Sequence, residues 1–115
     1  MIYTKNLSEP WFSLIKLGLK TCEGRLNKGD FAAMKKGDHV IFENNELGFR
    51  RTCKVKITSV HKYPSFIAYL EKEKLLKCLP GIDTIEEGLQ VYYKYFTKAD
   101  EHTYKIVATR VKIIH

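Results

Sequence analysis

The apolar positions along the chain predict five strands. Residues 51–60 alternate between apolar and polar side chains, so that Cys53, Val55 and Ile57 share one face. This alternation is typical of a strand with one side in the core and the other in water. Shorter apolar runs predict the remaining strands over 2–7, 20–26, 39–43 and 105–114.

A short amphipathic helix is predicted after the first strand. Trp11, Leu14 and Ile15 recur at helical spacing and would form its apolar face. Ser8 is the expected N-terminal cap, and Gly18 is the expected stop at the C-terminal end.

A longer helical region is predicted over residues 65–102, before the last strand. Ser65 is the expected cap of its first helix, and Pro80 marks a break in the pattern. Thr84 and Glu87 have the spacing of a capping box and predict the start of another helix.

This order of elements indicates an α+β fold. Mostly antiparallel strands with one early helix favour a small, partly open β-barrel, and the helical insert before the last strand would cover one of its ends. The 115 residues are the length of one domain, so we expect a single domain spanning 1–115.

Composition restricts the class of protein. Hydrophobic side chains make up 44% of the chain, yet no apolar run approaches the roughly 18 residues of a membrane span. The N-terminal residues lack the apolar segment of a secretory signal. We therefore expect a soluble intracellular protein, cytoplasmic or nuclear, without membrane contact. Cys22, Cys53 and Cys78 form no Cys-x-x-Cys pair, and we expect them to be reduced and buried.

The formal net charge of +7 points to a polyanionic partner, and nucleic acid is the first to consider. A basic surface of this kind is predicted from two turns and a strand. Its candidate residues are Lys35, Lys36, Arg50, Arg51, Lys54 and Lys56. The alternative is a solvated strand face, which lysine commonly provides.

Three charged residues, Lys20, Glu23 and Arg25, follow the first helix closely. Alternation along a strand would put Glu23 and Arg25 on one face and Lys20 on the other. We expect a bulge or bend near Gly24 to bring all three together. Lys20 and Arg25 would then contact an anion or a base, and Glu23 would accept from an exocyclic amine or act as a general base. The alternative is a structural ion pair at the barrel rim.

Trp11, Tyr63 and Ser65 complete the candidate ligand-binding residues. Trp11 would either stack on a base or pack in the core. Tyr63 and Ser65 follow a strand at the expected cleft edge, although Ser65 is also the predicted helix cap. The histidines show no metal-ligand spacing and there is no glycine-rich phosphate loop, so we expect neither a metal ion nor another cofactor.

The segment from Pro10 to Arg25 resembles the signature of the ASCH (activating signal cointegrator homology) domain family. The matching positions are Pro10, Trp11, Ile15, Gly18, Lys20, Thr21, Glu23 and Arg25. Residues 36–38 before an apolar strand, residues 61–66 and residues 92–108 also resemble bacterial and viral members.

The resemblance implies a PUA-like barrel with a cleft for RNA or a nucleoside beside the first helix. Members include RNA-binding modules, a bacterial acetylcytidine amidohydrolase and a single-strand ribonuclease. The amidohydrolase mechanism is assigned to a Lys, a Thr three residues later and a Glu in the helical segment. Lys20 matches the Lys, Glu23 occupies the Thr position, and Glu71 or Glu73 would be the third residue.

Three functions are consistent with these observations. The leading hypothesis is RNA or nucleoside binding in a basic cleft. The first alternative is a hydrolase acting on RNA or on an acylated cytidine, in which Glu23 would activate water and Lys20 would stabilise an oxyanion. The second alternative is a protein-interaction module.

Overall fold

The computed structural model describes residues 1–115 and is built on one curled sheet of five strands. The sheet order is β1-β3-β4-β5-β2; β1 and β3 are parallel, and the other neighbours are antiparallel. The strands are β1 (Ile2–Asn6), β2 (Cys22–Leu26), β3 (His39–Asn44), β4 (Arg51–Tyr63) and β5 (Ile106–Ile114). Since β1 and β2 are the two edge strands, the barrel is open along a seam between them. The expected α+β class and partly open barrel are confirmed.

Six helices accompany the sheet. They are α1 (Trp11–Lys16), α2 (Gly29–Ala33), α3 (Phe66–Glu73), α4 (Leu75–Cys78), α5 (Ile85–Tyr93) and α6 (Lys98–Tyr104). Four of them form the predicted insert between the last two strands. None of the helices has the length and apolar content needed to cross a membrane.

Aromatic rings join the helical insert to the core. Phe66 is fully buried and stacks on Tyr92, with ring centroids 4.6 Å apart, and on Phe96 at 5.6 Å. The buried Glu101 on α6 accepts hydrogen bonds from the Phe66 backbone N–H and the Tyr93 hydroxyl, both at 2.7 Å. These contacts hold α3, α5 and α6 as one unit beside the sheet.

Helix capping follows the sequence in two places and departs from it in one. Ser65 Oγ accepts from the Ala68 backbone N–H at 3.1 Å, and Thr84 caps α5 in the same way through Glu87. The prediction for Ser8 was wrong. The Glu9 carboxylate accepts from the Ser13 backbone N–H at 2.9 Å, whereas the Ser8 hydroxyl pairs with that of Tyr95.

Candidate ligand-binding site

A cavity of about 300 Å³ lies at the seam between the two edge strands. The C-terminal end of β1, the first turn of α1, strand β2 and the helical insert all contribute to its walls. The lining residues are Asn6, Leu7, Ser8, Trp11, Lys20, Glu23, Gly24, Arg25, Leu79, Val91, Tyr92, Tyr95 and Phe96.

Lys20 is a buried cation at this site, with only 2% of its surface exposed. Its ammonium group donates to the backbone carbonyl of Cys22 at 2.6 Å and to that of Cys78 at 2.5 Å. It also lies 3.2 Å from Glu23 Oε1. An ammonium group has three N–H donors, and these three partners account for all of them.

Glu23 is equally buried, and each of its oxygens has a cationic partner. Oε1 faces Lys20, and Oε2 accepts from Arg25 Nε at 3.0 Å. Burial alone would raise the pKa of this carboxyl, but the two neighbouring positive charges outweigh it, so the pKa of Glu23 lies below its usual value. The carboxylate is therefore ionised at neutral pH.

Arg25 connects the two sides of the seam. Its Nε binds Glu23 on the same strand, and one of its terminal nitrogens donates to the Asn6 carbonyl oxygen of β1 at 3.1 Å. Its guanidinium lies 4.7 Å from the ring centre of Phe31. Three of its five N–H donors have no partner within the protein.

The other walls are aromatic. Trp11 is 8% exposed, so it belongs to the core and to the cavity wall at the same time. Tyr95 is 57% exposed at the rim, where its hydroxyl lies 3.0 Å from Ser8 Oγ. Tyr92 and Phe96 complete this surface. Aromatic and apolar walls with a few polar groups are typical of small-molecule sites.

The structure brings Lys20, Glu23 and Arg25 together without the expected bulge, so that prediction was wrong. Pairing of β2 with β5 is regular from Cys22 to Leu26. Lys20 precedes the strand, and its long side chain reaches Glu23 at 3.2 Å. The register shift in the sheet lies elsewhere, in β4 between Ile57 and Ser59.

The family model that describes ASCH domains matches residues 6–114. The chain belongs to the ASCH domain family. This confirms the resemblance that the segment from Pro10 to Arg25 indicated. A search of curated proteins gives no match.

Solved structures agree with this assignment. The crystal structure of hypothetical protein PH0355 is 37% identical, with a TM-score of 0.89 over 99% of this chain and 100% of that one. The solution structure of protein PF0455 from Pyrococcus furiosus is 36% identical, with a TM-score of 0.80 over 100% of this chain and 99% of that one. The ASCH domain from Lactobacillus crispatus is 16% identical, with a TM-score of 0.55 over 96% of this chain and 79% of that one. That last match shows the PUA-like fold alone.

Two of the predicted ligand-binding residues of this ASCH domain do not line the cavity. Ser65 caps α3, and the Tyr63 hydroxyl donates to the carboxylate of Glu73. Glu73 also accepts two hydrogen bonds from Arg110, at 2.7 and 3.0 Å. Burial alone would raise the pKa of Glu73. The hydrogen bonds from Arg110 and Tyr63 outweigh this effect, so the pKa of Glu73 lies below its usual value. Glu73 thus anchors α3 to β5, whereas Glu71 is exposed.

The predicted basic surface of the ASCH domain is divided. Arg50 pairs with Glu43 at 2.7 Å, and Arg51 pairs with Glu9 at 2.9 Å. Lys54 and Lys56 lie on the outer face of β4, while Lys35 and Lys36 are exposed in the turn before β3. The two arginines are therefore paired with carboxylates, whereas the four lysines form no salt bridge.

Sequence reasoning missed the part of the cavity wall that the helical insert contributes. From the sequence, helical spacing predicts Tyr92 and Phe96 as apolar positions of the helix that follows Thr84, and it assigns no role to Tyr95. Spacing along one helix does not show which strand it faces. The density of aromatic residues between positions 92 and 96 was the one signal available.

Proposed function

We propose that the seam cavity of this ASCH domain binds a nucleobase, presented either by RNA or by a free nucleoside. The observation that carries the proposal is the pairing of an ionised carboxylate with a partly free guanidinium at the edge of an aromatic-walled cavity. Glu23 would accept from an amino or imino group of the base, and Arg25 would donate to a ring nitrogen or carbonyl.

The size and chemistry of the cavity support this assignment. Its volume is at the lower end of the range of about 300–1,000 Å³ that is usual for small-molecule sites, which suits one nucleoside. Tyr95, Phe96 and Trp11 offer faces for stacking, and base–aromatic stacking contributes roughly 1–3 kcal/mol per base. Lys20, Glu23 and Arg25 together carry one net positive charge, which favours electron-rich edges and phosphate.

We infer binding rather than hydrolysis from the state of the two candidate catalytic groups. All three N–H donors of Lys20 are already used, so it would have to lose a partner before stabilising an oxyanion. Both oxygens of Glu23 face cations, and this lowers its basicity. The hydroxyl nucleophile of the family's amidohydrolase has no counterpart at position 23.

Trp11 provides the test, because it is the sole tryptophan of the chain and it lines the cavity. We expect its fluorescence to change in a saturable manner when the protein is titrated with ribonucleosides, their monophosphates and short RNA. Tyr95→Ala removes an exposed stacking face and should weaken binding by about 5- to 160-fold, the equivalent of roughly 1–3 kcal/mol.

Tyr104→Ala is the matched control, since Tyr104 is also partly exposed but lies outside the cavity. The proposal fails if no nucleoside or RNA alters the emission, or if the two tyrosine variants bind alike.

A further inference from the structure

Lysine side chains meet on the outer face of the sheet, away from the seam cavity. Strand register places His39 of β3 opposite Lys56 of β4, and Lys56 opposite Lys112 of β5. Neighbouring strands are about 4.8 Å apart, so these three residues form a row across three adjacent strands. Lys54 lies two residues from Lys56 on the same face of β4. We call these four residues the outer row; none of them lines the cavity.

The outer row has no internal compensation for its charge. The structure describes every residue of the chain. In it, no salt bridge and no side-chain hydrogen bond involves His39, Lys54, Lys56 or Lys112. Like charges directly opposite each other in a sheet are destabilising. The Lys56–Lys112 pair therefore weakens the folded state unless an anion binds there.

The acidic side chains closest in register are already engaged. Glu43 lies two positions along the outer face of β3 beyond Ile41, and it binds Arg50. Asp38, next to His39, accepts from the Lys35 backbone N–H at 3.1 Å. The residues in register with Lys54 are Thr4, Ile41 and Ile114, and they add no negative charge. Positive potential consequently persists across the middle of this face.

We propose that the outer row binds the phosphate backbone of single-stranded RNA. The inference extends the proposed function, since it supplies a backbone contact for an RNA whose base enters the seam cavity. Ammonium groups on flexible stems contact phosphates without reading sequence, so the outer row would add affinity and not base preference. An anionic membrane is the less suitable partner, because surface-bound helices use Trp, Phe and Leu anchors. The apolar side chains that lie in register with these lysines are isoleucines alone.

The test compares two double variants that remove the same charge. Lys56→Gln with Lys112→Gln disrupts the outer row, while Lys72→Gln with Lys77→Gln removes two exposed lysines of α3 and α4. The probe is a fluorescein-labelled single-stranded RNA of mixed sequence, followed by anisotropy over a series of salt concentrations. Each lost phosphate contact should make the negative slope of log K against log salt shallower by about 0.7, so the slope of the outer-row variant should be shallower by about 1.4. At about 0.1 M salt this corresponds to roughly 25-fold weaker binding.

Two further measurements separate this inference from the proposed function. Nucleoside binding, measured by Trp11 fluorescence, should be the same in wild type and in the outer-row variant. The thermal midpoint of that variant should equal or exceed that of wild type, because a repulsive pair is removed.

The inference is overturned if both double variants show the same affinity and salt slope. Wild-type protein that binds nucleosides but no RNA, or that binds phosphatidylserine vesicles and no RNA, would overturn it as well. If the wild-type protein binds nucleosides but no RNA, the proposal that the seam cavity binds a nucleobase would still stand.

Discussion

Gly24 shows how one missing side chain shapes the interior beside the cavity. A Cβ atom at this position would lie 2.4 Å from Cζ of the Tyr69 ring and 2.7 Å from its hydroxyl oxygen. Tyr69 is fully buried, and its hydroxyl pairs with that of Tyr92 at 2.8 Å. The glycine therefore admits a tyrosine ring against β2, and that ring positions one wall of the cavity.

Gly24→Ala should destabilise the protein by about 1–3 kcal/mol, because the ring must move within a close-packed core. Gly88→Ala is the matched control. There the Cβ atom would meet only flexible leucine ends at 3.1–3.2 Å, and alanine favours a helix. Urea denaturation of both variants measures the difference. A double-mutant cycle with Tyr69→Leu should show that Gly24→Ala is milder once the ring is absent; equal effects in both backgrounds would contradict this explanation.

Glu23 neutralises two cations at the seam, and its replacement tests that role. Glu23→Gln leaves the buried Lys20 without its anionic partner and should lower the free energy of unfolding by about 3–5 kcal/mol at neutral pH. The folded-state pKa of Glu23 is lowered from 4.5. The ionised carboxylate therefore stabilises the fold fully above that value, and its contribution declines as the pH falls through the folded-state pKa.

The difference in stability between wild type and Glu23→Gln should accordingly shrink as the solution is acidified below about pH 4.5. Denaturant titrations at several pH values measure it. Glu86→Gln, an exposed change on α5, should have a small effect that varies little with pH. A difference for Glu23→Gln that stays constant down to acid pH would show that the buried carboxylate does not stabilise the fold by its charge.

At the scale of elements, capping decides where the insert begins. Ser65 has extended backbone angles and satisfies the first turn of α3 through its side chain. Ser65→Ala should lower stability by about 1 kcal/mol, whereas Ser65→Asp should retain most of it. Because Ser65 does not line the cavity, nucleoside affinity should be unchanged in both variants. A large loss of affinity with full stability would return Ser65 to the ligand-binding residues.

Strand β2 contributes both Glu23 and Arg25 to the candidate site. Its residues alternate between two environments: Cys22 faces Glu73 and the core, while Glu23 and Arg25 face the cavity. The same short strand thus separates a structural cluster from the candidate site. Alternation along the sequence predicted that Glu23 and Arg25 share a face, and the structure confirms it.

At the scale of the whole molecule, the three cysteines report on global unfolding. All three are free and at most 6% exposed. Burial raises the pKa of Cys53 to about 11, and contact with Cys78 together with burial raises that of Cys22. Thiol reagents attack the thiolate, so the raised pKa slows the reaction at Cys22 and Cys53. The contact with Cys22 lowers the pKa of Cys78, so at this thiol only burial, which excludes the reagent, slows the reaction.

We expect a thiol reagent such as Ellman's reagent to react with the native protein only at the rate of opening. Addition of urea beyond the unfolding midpoint should expose all three thiols at once. Rapid reaction of one thiol in the native protein would indicate a local opening that the packing does not explain.

The sequence by itself determined the five strands, α1 and the position of the helical insert. Alternation predicted β4, helical spacing predicted α1, and Ser65 and Thr84 marked the starts of α3 and α5, because these signals depend on near neighbours along the chain. Lys20, Glu23 and Arg25 of the family signature line one side of the cavity.

Only the tertiary structure decided which residues lie across the cavity from Lys20, Glu23 and Arg25. The cavity exists because β1 and β2 are the two open edges of the sheet and the helical insert packs beside the seam between them. Local patterns do not specify which edges remain unpaired, nor which partner a charge finds. Glu9 therefore replaced Ser8 at the start of α1, Arg50 and Arg51 found carboxylates, and Lys112 joined Lys56 through pairing between strands far apart in the sequence.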